Sequence, residues 1–433
     1  MIRGSEFTPT YYVGTNQKKE VTELTKKNTN YYKYIWDNVA TYTDKWGKHS
    51  FTGMLGASMR QEQYRLLEGT ATNVPEGEDV WKYIALGNKE GATVKDDGWK
   101  YRGLSYFTRL NYNYNDKYML MFTFRADGSS KYNDKWGYFP SIGAAWVISQ
   151  EPFMKNQNIF DYMKLRASWG MTGNQEGIGN YDSRSLANGG HNYNGQDGIA
   201  ITTLANPDLK WEKSTEYNIG LDFSVLNDRL GGSVDIYRKK TTDLLFNYSV
   251  PTPPNLYSYT FANGGSVRNQ GIEVAINAIP VQTKDFEWKT VVTVAHNASK
   301  LLSLSNDMYE SNSYMDTGGL GEPISVSTHR MEEGRPLGEF YGLKSVGVSE
   351  NGLFLIEKPD GEVVEFSTAY LTNDEYRQYL GNGLPKVYLG WGNTFTYKNW
   401  DLSMQFTSQL GFKILNEPRA YYENNSHAYN RLK

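Results

Sequence analysis

Residues 118–146 read YMLMFTFRADGSSKYNDKWGYFPSIGAAW, and they decide the fold of this chain. Successive side chains of a β-strand point to opposite faces of a sheet, so the first part sorts its residues by parity. The two sets are Tyr118, Leu120, Phe122 and Phe124 on one face, and Met119, Met121, Thr123 and Arg125 on the other. A polar segment, 125–135, leads into a second strand-like segment, 136–146. The stretch predicts a β-hairpin with one face suited to an apolar environment and a second face that ends in the charged Arg125.

The same alternation of apolar and polar residues recurs along the chain. The clearest further segments are 104–114, 165–171, 217–225 and 400–410. A soluble β-sandwich or propeller also alternates, because each of its sheets has one buried face. The length of these segments and the lack of a repeat of propeller-blade length favour a membrane barrel over a soluble β protein.

The composition supports a barrel. Among 433 residues there are 34 tyrosines, 11 tryptophans and 42 glycines, while the mean hydropathy is −0.63. Membrane barrels place aromatic residues in girdles, where ring and polar group meet lipid and water. No segment approaches the ~20 apolar residues of a membrane helix, but a barrel strand needs only about ten.

Charge and cysteine content exclude other classes. The net charge of −3 argues against a nucleic-acid partner, which would require a basic surface to displace counterions from phosphates. The chain has no cysteine, so it offers neither disulfides nor thiolate metal ligands.

The connections between strands are of two kinds. Short turns at 115–116, 227–229, 283–285 and 398–399 contrast with long polar segments at 61–97, 172–209, 241–267 and 298–337. Strands that alternate in direction put the two kinds at opposite ends, as in barrels with short periplasmic turns and long outer loops. We therefore predict about twelve membrane strands of about ten residues each. Residues 299–383 are predicted to form a large extracellular loop region with its own hairpins, one of them turned at 359–361.

No pattern in the sequence indicates an enzyme. The chain has no Gly-x-Ser-x-Gly, His-Glu-x-x-His, Walker or dinucleotide-binding motif. Its five histidines are scattered without metal-ligand spacing: His49, His191, His296, His329 and His427. We expect no catalytic residue, no cofactor and no metal site.

Candidate ligand-binding residues lie in the predicted outer loops and on the odd-numbered face. Tyrosines interleaved with Asn and Gly can stack on sugar rings and bind hydroxyl groups, and the arginines could line an interior passage. These candidates are Tyr181, Tyr193, Tyr257 and Tyr259 in loops, with Arg109 and Arg125 on strands. The alternatives are that such tyrosines are ordinary residues of polar loops, and that neighbouring carboxylates neutralise the arginines.

Several segments, in this order, resemble the barrel of SusC/RagA-type TonB-linked outer-membrane transporters of Bacteroidetes. They are RADGSSKYNDKWGYFPS (125–141), LRASWGMTGN (165–174), NPDLKWE (206–212), DLL (243–245), NQGIE (269–273) and GRPLG (334–338). The resemblance covers most of the chain and implies an outer-membrane barrel of about 22 strands with an N-terminal plug.

The resemblance also implies a function and partners. It implies a TonB-dependent importer of glycans or peptides, with oligosaccharides preferred, that works with a SusD-like surface lipoprotein as a lid and is powered by TonB. Two alternatives remain open: a passive porin-like channel and a surface carbohydrate-binding β protein. Outer-membrane lipid is an expected partner, and no nucleic-acid partner is expected.

The ends of the chain suggest a partial barrel. Gly4-Ser5-Glu6-Phe7 is what two adjacent cloning sites would encode, so residues 1–7 are a candidate vector-derived scar. Residues 8–433 are interpreted as a partial β-barrel domain that lacks the plug, the TonB-contacting segment and the final strands.

Overall fold

The structure is a computed structural model that describes residues 2–14, 17–78, 82–250, 259–305, 312–321 and 325–423. The strands, in chain order, are β1 (Ile2–Thr8), β2 (Tyr11–Gly14), β3 (Gln17–Lys19), β4 (Glu23–Trp46), β5 (His49–Thr72), β6 (Thr93–Tyr114), β7 (Tyr118–Ser129), β8 (Trp136–Val147), β9 (Phe160–Asn174), β10 (Leu186–Tyr193), β11 (Gln196–Thr203), β12 (Glu212–Val225), β13 (Leu230–Thr242), β14 (Leu245–Ser249), β15 (Tyr259–Asn263), β16 (Ser266–Gln282), β17 (Phe286–Ser303), β18 (Tyr314–Gly319), β19 (Ser327–Glu332), β20 (Glu339–Val348), β21 (Phe354–Glu357), β22 (Val363–Glu365), β23 (Arg377–Asn382), β24 (Val387–Tyr397) and β25 (Trp400–Leu410).

Helical structure is confined to short segments in the described part of the chain. They are the helix α1 (Glu417–Tyr422) and 3₁₀ turns at Ile84–Leu86, Ile148–Gln150, Pro152–Met154 and Thr368–Leu371. None of the described helices has the length and apolar character needed to cross a membrane.

Thirteen strands form one antiparallel sheet in the order β1-β4-β5-β6-β7-β8-β9-β12-β13-β16-β17-β24-β25. Neighbours in this sheet are also neighbours along the chain, apart from the strands that form small separate sheets. The prediction of an all-β, antiparallel architecture is confirmed. The twelve predicted strands are all present, and a thirteenth strand, β1, extends the sheet along residues 23–29 of β4.

The additional strand is β1, which includes the segment that resembles a cloning scar. It pairs with β4 from Ile2 opposite Thr29 to Thr8 opposite Glu23. Its sequence, IRGSEFT, lacks the strong alternation of the other strands. Its pairing therefore depends on the edge that β4 offers rather than on a pattern of its own.

The predicted strand length was wrong for the first three long strands. β4 and β5 have 24 residues each, and β6 has 22. The polar segment at 61–97 was predicted to be a loop, but β5 and β6 remain paired through Thr70 opposite Thr93. Polar residues can continue a strand beyond the membrane, because water and ion pairs satisfy their side chains there.

The register gives the sheet two chemically different faces. Leu120 lies opposite Ala144, which lies opposite Ala167 on the next strand, and we call this side the Leu120 face. Arg125 lies opposite Phe139 on the other side, which we call the Arg125 face. Large apolar side chains are exposed on the Leu120 face, among them Leu120 at 46% and Phe122 at 36%.

Aromatic residues flank the short turns at one end of the sheet. The Trp46 and His49 rings stack with centroids 5.8 Å apart, and the His49 and Tyr114 centroids are 4.9 Å apart. Tyr114 continues the row to Tyr118 at 6.4 Å. Such a row is the aromatic girdle expected at a membrane interface.

The long connections carry small sheets of their own. β10 pairs with β11, and β14 pairs with β15. Between β17 and β24, which pair directly, β18 to β23 form a separate six-stranded sheet that we call the outer module. One of its turns holds Gly361 at φ 89°, a backbone conformation that favours glycine.

A charge on the Leu120 face tests the assignment of faces. Phe122→Arg is expected to lower the free energy of unfolding by about 2–4 kcal/mol, if this residue faces the bilayer midplane. Met121→Arg, one residue away on the Arg125 face, is the matched control and is expected to cost little. Denaturant titration of the protein in lipid vesicles measures both, and equal costs would contradict the assignment.

Candidate functional site

The strongest candidate site is a cavity of about 480 Å³ on the Arg125 face, toward the end of the sheet that carries the long loops. Strands β4 to β7 supply most of its wall, and residues 173–176 and Trp211 close one side. The floor is a sheet, so odd-numbered side chains of β7 and their cross-strand neighbours enter the cavity.

Arg125, a candidate from the sequence analysis, lines this cavity. Its Nε lies 2.8 and 2.7 Å from the two carboxylate oxygens of Asp127, and an Nη donates to Ser105 at 3.0 Å. The guanidinium also lies 5.5 Å from the centre of the Phe107 ring. Asp127 therefore neutralises Arg125, while half of the arginine side chain stays exposed to the cavity.

Beyond Arg125 and Asp127, three further charged groups line the cavity and were missed by the sequence analysis: Asp37, Arg60 and Glu176. Asp37 of β4 accepts a hydrogen bond of 2.5 Å from Ser58, and Arg60 of β5 donates from Nε to Glu62 at 2.6 Å. The parity of β4 and β5 relative to β7 would have found Asp37 and Arg60, because the register places both on the Arg125 face.

Among the described residues, Arg109, Tyr181 and Tyr259 do not join Arg125 in lining this cavity. Arg109 lies on the Arg125 face opposite Thr123 and is exposed, but it does not line the cavity. Tyr181 is half-buried, and its hydroxyl oxygen accepts a hydrogen bond of 2.9 Å from the Lys100 backbone N–H. The Tyr181 hydroxyl group thus anchors its loop to strand β6.

The remaining loop tyrosines divide into described and undescribed ones. Tyr259 is 57% exposed and lies opposite Ser249 in the β14–β15 hairpin. Tyr193 ends β10, where the structure describes the backbone. Tyr257 lies outside the described residues. Their role in ligand binding stays a prediction.

Beside the cavity, the long loops fold inward and form a hydrophobic core. It contains Tyr132, Phe139, Ile178, Leu209 and Trp211, all at most 7% exposed. The Trp211 ring lies 5.4 Å from Tyr132 and 5.5 Å from Phe139, between centroids. A single-layer sheet buries little apolar surface by itself, so this loop core supplies buried apolar surface that the wall lacks.

Hydrogen bonds to the backbone fix the loops around this core. Asn263 donates to the carbonyls of Lys210 and Asp243 at 2.7 and 2.9 Å, and it accepts from the Lys210 N–H at 2.8 Å. Asn206 donates to the Phe261 carbonyl at 2.7 Å. Lys131 donates to two loop carbonyls, and burial lowers the pKa of its ammonium group.

A second buried polar cluster stabilises the outer module. The Arg330 side chain is 6% exposed and contacts Asp316 at 2.6 Å and Asp374 at 2.9 Å. Its guanidinium lies between two rings, 3.7 Å from the centre of Tyr314 and 3.9 Å from that of Tyr341. Hydrogen bonds from Arg330 lower the pKa of the Asp316 and Asp374 carboxyl groups, more than burial raises it.

The family model described as "TonB dependent receptor-like, beta-barrel" matches residues 3–331. The chain belongs to this family. Its members are outer-membrane β-barrel proteins, so the Leu120 face contacts lipid and the Arg125 face lines the lumen. The short turns then lie on the periplasmic side and the long loops on the outer side.

Curated relatives support the SusC/RagA-type resemblance. TonB-dependent receptor P26 of Formosa agariphila is 31% identical over 420 residues, which are 94% of this chain and 41% of that protein. TonB-dependent receptor SusC of Bacteroides thetaiotaomicron is 33% identical over 323 residues, 71% of this chain and 31% of that protein. The chain thus spans about a third to two fifths of the length of the curated relatives that it matches.

A solved structure titled "Structure of the RagAB peptide transporter" has the same fold. The TM-score is 0.81 at 23% identity, and the match covers 98% of this chain and 46% of that one. At this sequence identity, the structural similarity shows the fold alone. Together with the curated relatives, it confirms the prediction of a SusC/RagA-type barrel.

Removal of the central ring of the loop core tests its importance. Trp211→Ala is expected to cost about 3–5 kcal/mol, as is usual for a buried large aromatic residue. Hydrogen exchange in 131–135 and 175–183 should accelerate, since both segments border the core. Trp400→Ala, at a tryptophan that is 78% exposed, is the control. Unchanged exchange in both loops would show that the core does not hold them.

The lowered pKa values of Asp316 and Asp374 predict that the outer module is sensitive to acid. Each folded-state pKa lies below the ordinary value of 3.8, so the carboxylates stabilise the module above that pH. This stabilisation is lost as the pH falls below 3.8 toward the folded-state values. Hydrogen-exchange protection factors of β19 and β20 should drop between about pH 4 and about pH 2, relative to those of β12 and β13.

The double variant Asp316→Asn/Asp374→Asn is the matched control for this pH dependence. It should show weaker protection of β19 and β20 at neutral pH and little further loss in acid, because the titrating groups are gone. An equal acid response in the variant and the parent would assign the effect to other groups.

Proposed function

We propose that this chain forms part of the wall and outer vestibule of a TonB-dependent importer that carries oligosaccharides through the outer membrane. The observation that carries the proposal is the cavity on the lumen side, where Arg125, Asp127, Asp37 and Arg60 lie close to the outer loops. A passage for a polar oligomer needs hydrogen-bonding groups at its entrance that exchange partners readily. Exposed ion pairs meet this need, since such pairs are worth only about 0–1 kcal/mol.

The side chains of the cavity support a neutral, hydroxyl-rich substrate. Carboxylates accept from sugar hydroxyls, guanidinium groups donate to them, and the Gln175 amide and the Trp211 edge lie in the same wall. The two arginines are already paired, Arg125 with Asp127 and Arg60 with Glu62, so a neutral ligand leaves neither of them uncompensated. A peptide is the rival substrate, because the structural relative RagAB is titled a peptide transporter.

Family membership supports an inference about the partners of the importer. We infer a SusD-like surface lipoprotein that covers the outer loops and TonB as the source of energy, engaged through a part of the receptor other than this barrel segment. The fold shared with RagAB, described as a peptide importer, supports this inference. Family membership favours active import over a passive channel or a surface carbohydrate-binding protein.

Uptake by cells tests the transport proposal. In the full-length receptor that contains this chain, Arg125→Ala combined with Asp37→Ala should lower the uptake of labelled oligosaccharides about tenfold or more, because each variant removes hydrogen bonds from a charged group. Arg109→Ala, which changes a lumen-facing arginine outside the cavity, should leave uptake nearly unchanged.

The same assay separates the alternatives. A protonophore should abolish uptake by an active importer, whereas uptake that survives it would indicate a passive channel. Labelled peptides of similar size form the second arm. Uptake of peptides but not of oligosaccharides would overturn the proposed substrate class, and equal uptake by the Arg125/Asp37 double variant would overturn the role of the cavity.

A further inference from the structure

A second concave site lies on the lipid-facing side of the wall, across the sheet from the lumen. It is a groove of about 400 Å³ between strands β6 and β9. Its lining on the Leu120 face comprises Tyr112, Tyr118, Leu120, Trp146, Leu165 and Ala167 around Ala144. No charged side chain lines it among the described residues.

The groove arises from two small residues in a row of large ones. Ala144 and Ala167 lie opposite each other in the register of β8 and β9. Leu120 flanks them on one side and Ile219 on the other, through the pairings of β7 with β8 and of β9 with β12. Trp146, paired with Leu165, closes the row next to the turn. The alanine pair therefore forms the floor of a groove in a surface of otherwise large side chains.

The aromatic walls of the groove are held in place by the adjacent turn. Glu151 accepts hydrogen bonds from the Tyr118 hydroxyl and from Trp146 Nε1, the latter at 3.0 Å. Lys117 lies 3.2 Å from the same carboxylate, and its ammonium lies 5.7 Å from the centre of the Tyr118 ring. The two rings are thus fixed before any ligand binds, which lowers the entropic cost of binding.

The groove lies close to the periplasmic boundary of the membrane. Its floor is two residues along the strand from Tyr118 and Trp146, or about 7 Å, and these residues border the turns at 115–117 and 148–150. The hydrocarbon chains at this depth belong to the periplasmic leaflet, which brings its phosphate groups to the level of Lys117.

We propose that this groove is a binding site for a phospholipid of the periplasmic leaflet, with one acyl chain on Ala144 and Ala167 and the head group beside Lys117. Three features of the molecule support this occupant: the apolar lining, its continuity with the lipid-facing surface, and the cationic side chain at its rim. The fixed aromatic walls give the groove defined sides.

Native mass spectrometry of the full-length receptor, extracted in a mild detergent, tests the proposal. The parent receptor should retain one phospholipid, and Ala144→Phe combined with Ala167→Phe should lower its occupancy about tenfold or more, because excluding even two methylene groups costs about that factor. Ala40→Phe, a matched change on the Leu120 face of β4, should leave the occupancy unchanged.

Each outcome decides for or against the site. Heat-modifiable gel migration reports whether the double Phe variant folds. If it does not, the milder Ala144→Leu replaces it and should give an intermediate phospholipid occupancy. Equal phospholipid occupancy in the parent and in a folded groove-filling variant would overturn the proposal. Retention of a lipid A mass in place of a phospholipid would overturn the assignment to the periplasmic leaflet.

Discussion

The constraint on which this structure depends is that backbone polar groups in a membrane must be paired within the protein. Continuous antiparallel pairing from β4 to β25 meets it for the strands inside the sheet, and β1 pairs with residues 23–29 at the edge of β4. Because the side-chain period of a strand is two, this pairing also fixes which residues meet lipid and which line the lumen. A slip of one residue in β7 would turn Arg125 toward lipid and Leu120 into the lumen.

A wall of one layer buries little apolar surface, and the loops supply the buried core. Tyr132 and Phe139 come from the first quoted segment of the family resemblance, and Leu209 and Trp211 come from the NPDLKWE segment. Segments that are distant in sequence thus meet in one core beside the lumen cavity. This arrangement gives the long outer loops a defined position, which a recognition surface requires.

The fold was predictable because parity is a strong signal, whereas much of the site was not. Tyr118 to Arg125 sort cleanly, so the hairpin, the faces and the inward position of Arg125 follow from the sequence. The hydrogen bond from the Lys100 backbone to Tyr181 was not predictable, because composition alone does not reveal such a contact. Asp37 and Arg60 were missed because β4 and β5 continue as polar strands, and their faces follow only from the register with β6 and β7.

Spin labels at successive positions of β7 test the central claim that the Leu120 face meets lipid and the Arg125 face meets the lumen. The chain has no cysteine of its own, so single cysteines from position 118 to 125 can be labelled selectively. In lipid vesicles, collisions with oxygen should be frequent at 118, 120, 122 and 124 and infrequent at 119, 121, 123 and 125. The opposite phase, or no alternation at all, would contradict the account.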